Sequence, residues 1–115
     1  MANATLLITG AAGFTGRHLI AAANKKGYRC IAVAQDQGSE VEGAHSTLVA
    51  DLLDPAALAQ VIEQAAPDYI VHLAAISFVA HGNTAEIYQV NQLGTINLLE
   101  AVQKCAPNIK KILIA

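Results

Sequence analysis

The chain of 115 residues contains no tryptophan, and with two phenylalanines and three tyrosines only 4% of it is aromatic. Any core must therefore be filled by Ala, Val, Ile and Leu. Charge is also scarce: Asp, Glu, Lys and Arg make up 14% of the residues, and nine acids against seven bases leave a net charge of −2. Lys25-Lys26 and Lys110-Lys111 are the only basic pairs, which excludes the basic stripe of a nucleic-acid binder. No apolar run approaches the roughly 18 residues of a membrane span. Met1-Ala2-Asn3-Ala4 lacks the basic start of a secretion signal, so a cytoplasmic protein without a membrane partner is expected. Cys30 and Cys105 each lie in an apolar segment and read as buried thiols rather than a disulfide. His18, His45, His72 and His81 show neither helical pairing nor a C-x-x-C companion, so no metal site is expected.

What the chain does have is apolar material, 54% of its residues, in a length that suits one domain over residues 1–115. Ala4 to Thr9 is a continuous apolar run ending at Gly10, as a strand buried on both faces requires. From Phe14 to Lys26 apolar residues (Phe14, Leu19, Ile20, Ala23) recur at helical spacing, and Gly27 stands where a helix commonly ends in a left-handed residue. Tyr28 to Ala34 reads as a second strand, followed through Gly43 by a polar stretch without helical periodicity, so the usual crossover helix is short or missing. His45 to Ala50 reads as a third strand, Asp54-Pro55 opens a helix to about Ala66, and Pro67 ends it. Asp68 to Leu73 is a fourth strand. Thr84 caps a long helix carrying Ile87, Val90, Leu93, Leu98, Leu99 and Val102, and Lys110 to Ala115 is a fifth strand. Strands alternating with helices predict an α/β fold, a doubly wound parallel sheet in the order 3-2-1-4-5 within a three-layer Rossmann sandwich.

Gly10-Ala11-Ala12-Gly13-Phe14-Thr15-Gly16 is a G-x-x-G-x-x-G run between the first strand and the first helix. In that context the first glycine permits a tight turn, the second lets backbone approach a diphosphate, and the third lets the helix pack closely. The helix end offers unpaired N–H groups and partial positive charge to the phosphates. Gly10, Ala12, Gly13, Phe14, Thr15 and Gly16 are thus candidate contacts to a dinucleotide. The ribose partner belongs at the end of strand two, near Ala34, where an acid signals NAD. The nearest acid is Asp36. Ala34 leaves room for a 2′-phosphate, yet no Arg or Lys stands at positions 34 to 40, so the cofactor is NAD or NADP, with the missing acid tilting toward NADP. Asp51, ending strand three, is placed to bond the adenine amino group with Leu52 against the ring. It reads equally as a strand-end acid or helix-start cap.

Thr9 to Gly16, Asp51-Leu52, His72-Leu73-Ala74-Ala75, and Val90-Asn91-Gln92-Leu93-Gly94-Thr95-Ile96-Asn97-Leu98-Leu99-Glu100-Ala101 together resemble the extended short-chain dehydrogenase/reductase family. These are the nucleotide-sugar epimerases, dehydratases and reductases. Across His72 to Val79 the chain is most similar to GDP-mannose 4,6-dehydratases and GDP-4-keto-6-deoxy-mannose reductases. The resemblance implies hydride transfer at a sugar carbon, with a sugar nucleotide as substrate of the full-length parent. It also implies that the backbone of Leu73, Ala74 and Ala75 passes beside the cofactor's ribose and nicotinamide, that the Ser77 region faces the sugar nucleotide, and that the Asn91 side chain bonds backbone near strand four or five. Read as residues, His72 is a satisfied core histidine and Ser77 an ordinary loop hydroxyl, and no catalytic role is assigned to either.

The family's Tyr-x-x-x-Lys pair, which moves the substrate's hydroxyl proton, is not found. Four residues after Tyr28, Tyr69 and Tyr88 stand Ala32, Leu73 and Gln92. The expectation is a truncated cofactor-binding portion that holds a dinucleotide without turnover. The competing class is a non-catalytic sensing or interaction module, in which the sheet edge beyond strand five offers a contact for a partner or a homodimer.

Overall fold

In the computed structural model, which describes residues 4–35, 41–73 and 84–115, the elements follow in the order β1 (Thr5–Thr9), α1 (Phe14–Lys25), β2 (Arg29–Ala34), β3 (Ser46–Val49), α2 (Pro55–Ala65), β4 (Tyr69–His72), α3 (Thr84–Cys105) and β5 (Lys111–Ile114). The strands form one parallel sheet in the order β3-β2-β1-β4-β5, as the alternation of elements predicts. β1 lies at the centre and is buried at every position, which is why it reads as an unbroken apolar run. Leu7 sits level with Ile31 on one side and Ile70 on the other.

Because successive side chains leave a strand on opposite faces, the strands feed two separate cores. Leu7, Ile31, Val33 and Ile70 pack with Leu58, Val61 and Ile62 of α2 and Leu98, Ala101 and Val102 of α3. Leu6, Ile8, Cys30 and Ala32 pack with Ile20 and Ala23 of α1, together with Ala11 and Val41. Among the described residues, two helices thus cover one face and a single helix covers the other. Each fully buried Leu or Ile contributes on the order of 1.5–3 kcal/mol.

The helix boundaries follow local chemistry. α1 ends in a Schellman arrangement: the N–H of Tyr28 donates to the Ala23 carbonyl and that of Gly27 to the Asn24 carbonyl, with Gly27 at φ +87°. α2 opens at Asp54, whose Oδ1 accepts from the Ala57 N–H at 3.2 Å, with Pro55 as its first residue. Between β2 and β3, the described residues 41–45 contain no helix. Val41 is buried in the α1-side core, and the Asn24 side-chain amide donates to the Gly43 carbonyl at 2.8 Å.

Two expectations about helix faces are corrected. Phe14, counted with the apolar stripe of α1, is 74% exposed and meets the His18 ring edge-on at 4.4 Å; the residues α1 buries are Gly16, Ile20 and Ala23. Leu93 and Leu99 of α3 are also exposed, while Gly94, Leu98, Ala101 and Val102 form its buried stripe. In both helices a glycine sits at a close contact, Gly16 against the Ala11 backbone and Gly94 against the Leu52 side chain, and some of the larger apolar side chains fall on the outer face. The Ile87 side chain lies outside the described residues.

Candidate dinucleotide site

The carboxyl ends of β1, β2, β3 and β4 open on the same edge of the sheet. β1 stands where the strand order reverses, the place where a doubly wound sheet leaves a crevice. At Gly10 the backbone turns with φ +68°, and its carbonyl accepts the Gly13 N–H at 3.3 Å. Gly13 is the residue preceding α1. It is extended (φ −75°, ψ 174°) and has no side chain with which to cap the helix. The N–H groups of Phe14, Thr15 and Gly16, which precede the first intrahelical bonds, therefore face out of the helix end with their partial positive charge. Ala12, Gly13, Phe14 and Thr15 are all exposed there.

The second and third glycines meet different surroundings. A Cβ added at Gly13 would stand 3.5 Å from the Gly10 carbonyl oxygen, an ordinary contact, in an allowed conformation. A Cβ at Gly16 would lie 2.5 Å from the Ala11 Cα and 2.6 Å from its carbonyl oxygen. The close packing expected of the third glycine is thus against the turn itself rather than against the strand. The fold requires glycine at position 16 and leaves room for a side chain at 13.

Along the same edge, Ala34 is half-buried and Gln35 exposed, and Asp36 lies outside the described residues. Asp51 is exposed, and its Oδ1 accepts from the Leu53 N–H at 2.9 Å. Capping of α2 falls to Asp54. Leu52 is held from behind by α3: the Asn97 side-chain amide donates to its carbonyl at 2.9 Å, and a Cβ at Gly94 would meet the Leu52 Cβ at 3.1 Å.

At the end of β4, His72 is buried, and the cost of desolvating a cation lowers its pKa below the usual imidazole value. Its Nδ1 lies 2.6 Å from the Thr9 hydroxyl and its Nε2 lies 3.1 Å from the Thr95 hydroxyl. The next N–H, of Leu73, is shared between the Thr9 hydroxyl at 3.1 Å and the Thr9 carbonyl at 3.2 Å. The histidine is thus satisfied at both nitrogens, in keeping with the core reading. Asn91, half-buried on α3, accepts the Thr95 hydroxyl on its backbone carbonyl at 3.0 Å. Ala74, Ala75 and Ser77 lie outside the described residues. Cys30 and Cys105 are free thiols, and burial pushes the pKa of Cys30 up.

Four residues of this edge escaped the sequence reading as individuals: Thr9, Gly94, Thr95 and Asn97. Three of them left a signal, because Gly, Thr and Asn are weak helix formers and stand together in the middle of a 22-residue helix. Thr9 left none, since threonine is an ordinary strand residue.

The model of the NAD dependent epimerase/dehydratase family matches residues 6–115 of the chain. A GDP-6-deoxy-D-talose 4-dehydrogenase from Aggregatibacter actinomycetemcomitans is 38% identical over 97 residues, covering 84% of this chain and 30% of that protein. A GDP-6-deoxy-D-mannose reductase from Pseudomonas aeruginosa is 34% identical over 100 residues, covering 85% of this chain and 29% of that protein. Among solved structures, the UDP-glucose 4-epimerase of Brucella ovis in complex with NAD superposes with a TM-score of 0.83 at 27% identity, over 98% of this chain and 35% of that one. The chain spans about a third of the length of these relatives. Motifs, strand order and relatives agree, and the chain belongs to the NAD-dependent epimerase/dehydratase family, of whose extended short-chain dehydrogenase/reductase fold it forms the N-terminal portion.

Proposed function

We propose that this chain binds a nicotinamide dinucleotide and serves as the cofactor-binding portion of an enzyme acting on a nucleotide sugar. The observation that carries the reading is Gly13. Its conformation is open to any residue and a Cβ would fit, so the fold gives no reason for glycine there. A diphosphate lying against the backbone and the uncapped N–H groups of α1 does. In this reading Gly10, Ala12, Gly13, Phe14, Thr15 and Gly16 surround the diphosphate. Asp51 and Leu52 hold the adenine, Asp36 lies nearest the ribose, and Leu73, Ala74 and Ala75 pass the nicotinamide end with Asn91 in support.

When bound, the nicotinamide supplies hydride transfer, here at a carbon of the sugar. The residues of this chain orient the dinucleotide; no Tyr-x-x-x-Lys pair occurs among the 115 residues, so they do not move the substrate's proton. The chain alone is therefore expected to bind without turning over. The GDP-sugar relatives support a sugar nucleotide as the substrate of the longer enzyme. The two free thiols accord with a cytoplasmic setting. Family and NAD-bound neighbours support NAD, whereas Ala34 at the end of β2, with no acid beside it, supports NADP.

Calorimetric titration of both dinucleotides tests the reading. The chain should bind both, NADP the more tightly, and Gly13→Val should abolish binding while the circular dichroism spectrum and melting temperature stay close to wild type. Unchanged affinity in that variant would overturn the assignment.

A further inference from the structure

We infer that His72, held as its Nε2–H tautomer, is a positioning residue for this site, setting the two chain segments that flank the dinucleotide through a directed line of hydrogen bonds from β4 to α3. The inference rests on the dinucleotide reading above. Its geometry is independent of that reading.

The direction of the line is imposed at its α3 end and carried from there through the ring. A backbone carbonyl only accepts, so the Thr95 hydroxyl spends its one proton on the Asn91 carbonyl. Thr95 can then only accept from His72, which places the ring proton on Nε2. At the other end a backbone N–H only donates, so the Thr9 hydroxyl accepts from Leu73. With the ring neutral in its buried setting, Nδ1 keeps a lone pair, and the 2.6 Å contact is filled by the Thr9 proton. The order is Leu73 N–H to Thr9, Thr9 to His72, His72 to Thr95, and Thr95 to the Asn91 carbonyl. The Leu73 N–H is shared with the Thr9 carbonyl, the two hydroxyl protons and the ring proton each meet an acceptor within the line, and the opposite tautomer would leave the Thr95 proton without the Asn91 carbonyl as its partner.

The residues at the near end of this line give it a consequence. Thr9 precedes Gly10, where the diphosphate turn begins, and Leu73 continues β4 toward the nicotinamide side. His72 itself is buried behind both. Placed there, it acts by fixing the separation of the two backbones that flank the proposed dinucleotide site.

The test is made on the 115-residue chain with NMR and a dinucleotide titration. Long-range nitrogen–proton correlation should show His72 protonated at Nε2 and not at Nδ1. Thr95→Val, nearly isosteric, removes the acceptor. It should mix the two tautomers and weaken NAD and NADP binding on the order of tenfold, the factor expected for one buried hydrogen bond. Thr95→Ser should restore both properties. A purely structural role would lower the melting temperature and leave the affinity of the folded protein unchanged. Wild-type binding that Thr95→Val does not weaken, a Thr95→Val chain that no longer folds, or a His72 protonated at Nδ1 would each overturn the inference. A wild-type chain that binds neither dinucleotide would overturn the dinucleotide reading instead, and with it the positioning role, while the tautomer would still report whether the line of bonds exists.

Discussion

A methyl group at position 16 would meet the Ala11 backbone at 2.5–2.7 Å, whereas one at position 13 would meet a single oxygen at van der Waals distance. The same residue type therefore has opposite meanings within one turn. Gly16→Ala should destabilise the chain by about 1–3 kcal/mol, outweighing the roughly 1 kcal/mol that alanine gains over glycine in a helix; urea denaturation measures the difference. His72 makes a second residue-scale prediction. Its folded pKa lies below the usual 6.5, so between the two values the unfolded chain binds a proton that the folded chain does not. Stability contributed by the neutral ring is then present above pH 6.5 and is lost as pH falls below it. Denaturation midpoints measured between pH 8 and pH 5 should fall over that window, and the fall should be shallower in His72→Gln. The sequence showed that position 72 was a histidine at a strand end; it could not show that Thr9, 63 positions away, would meet its ring.

At the scale of elements, α1 and α2 begin in contrasting ways. Asp54 caps α2 with its carboxylate, while Gly13 leaves α1 uncapped. Asp54→Ala should cost about 1 kcal/mol and leave dinucleotide affinity intact. Gly13→Asp should do the reverse, adding roughly a few tenths of a kcal/mol of stability while abolishing binding by placing a carboxylate at the proposed diphosphate site. Thermal melts paired with titrations of both variants separate the two effects, and loss of binding in Asp54→Ala would contradict the division of roles. The helix-start signals, the glycine after α1 and the proline after α2 were all legible in the sequence because each acts within a few residues. The buried face of α3 was less so. Its apolar residues surround the helix, and Leu93, Ile96 and Leu99 proved exposed because Gly94 lies against Leu52 and sets the helix's rotation.

The molecule as a whole is covered unequally. Among the described residues, α2 and α3 close one face over a continuous core, while α1 alone covers the other. Beside α1 a groove of about 360 Å³ lies over β4 and β5, bordered by Leu19, Tyr28, Tyr69, Val71 and Leu113. Among the described residues β5 pairs only with β4, and Leu113 and Ile114 are 59% and 46% exposed. Native-state hydrogen exchange should therefore be graded across the sheet. Amides of Leu7 and Ile8 should exchange only through global unfolding, and those of β3 and β5 through smaller openings. Equal protection in β1 and β5 would contradict a stability concentrated on the α2–α3 side.

Composition and spacing alone settled the class of fold, the strand order and the place of the glycine turn, because burial on both faces, helix boundaries and right-handed crossovers are local or nearly local consequences of the chain. Asp51, Leu52 and His72 could also be named from sequence, as positions on strand ends. Their surroundings were decided only when the chain folded. Asn97 reaches the Leu52 carbonyl and Thr95 reaches His72 because α3 packs across one face of the sheet with these residues beside the carboxyl ends of the strands. Those contacts join residues 45 and 23 positions apart, and which partners meet at such separations depends on how the layers pack.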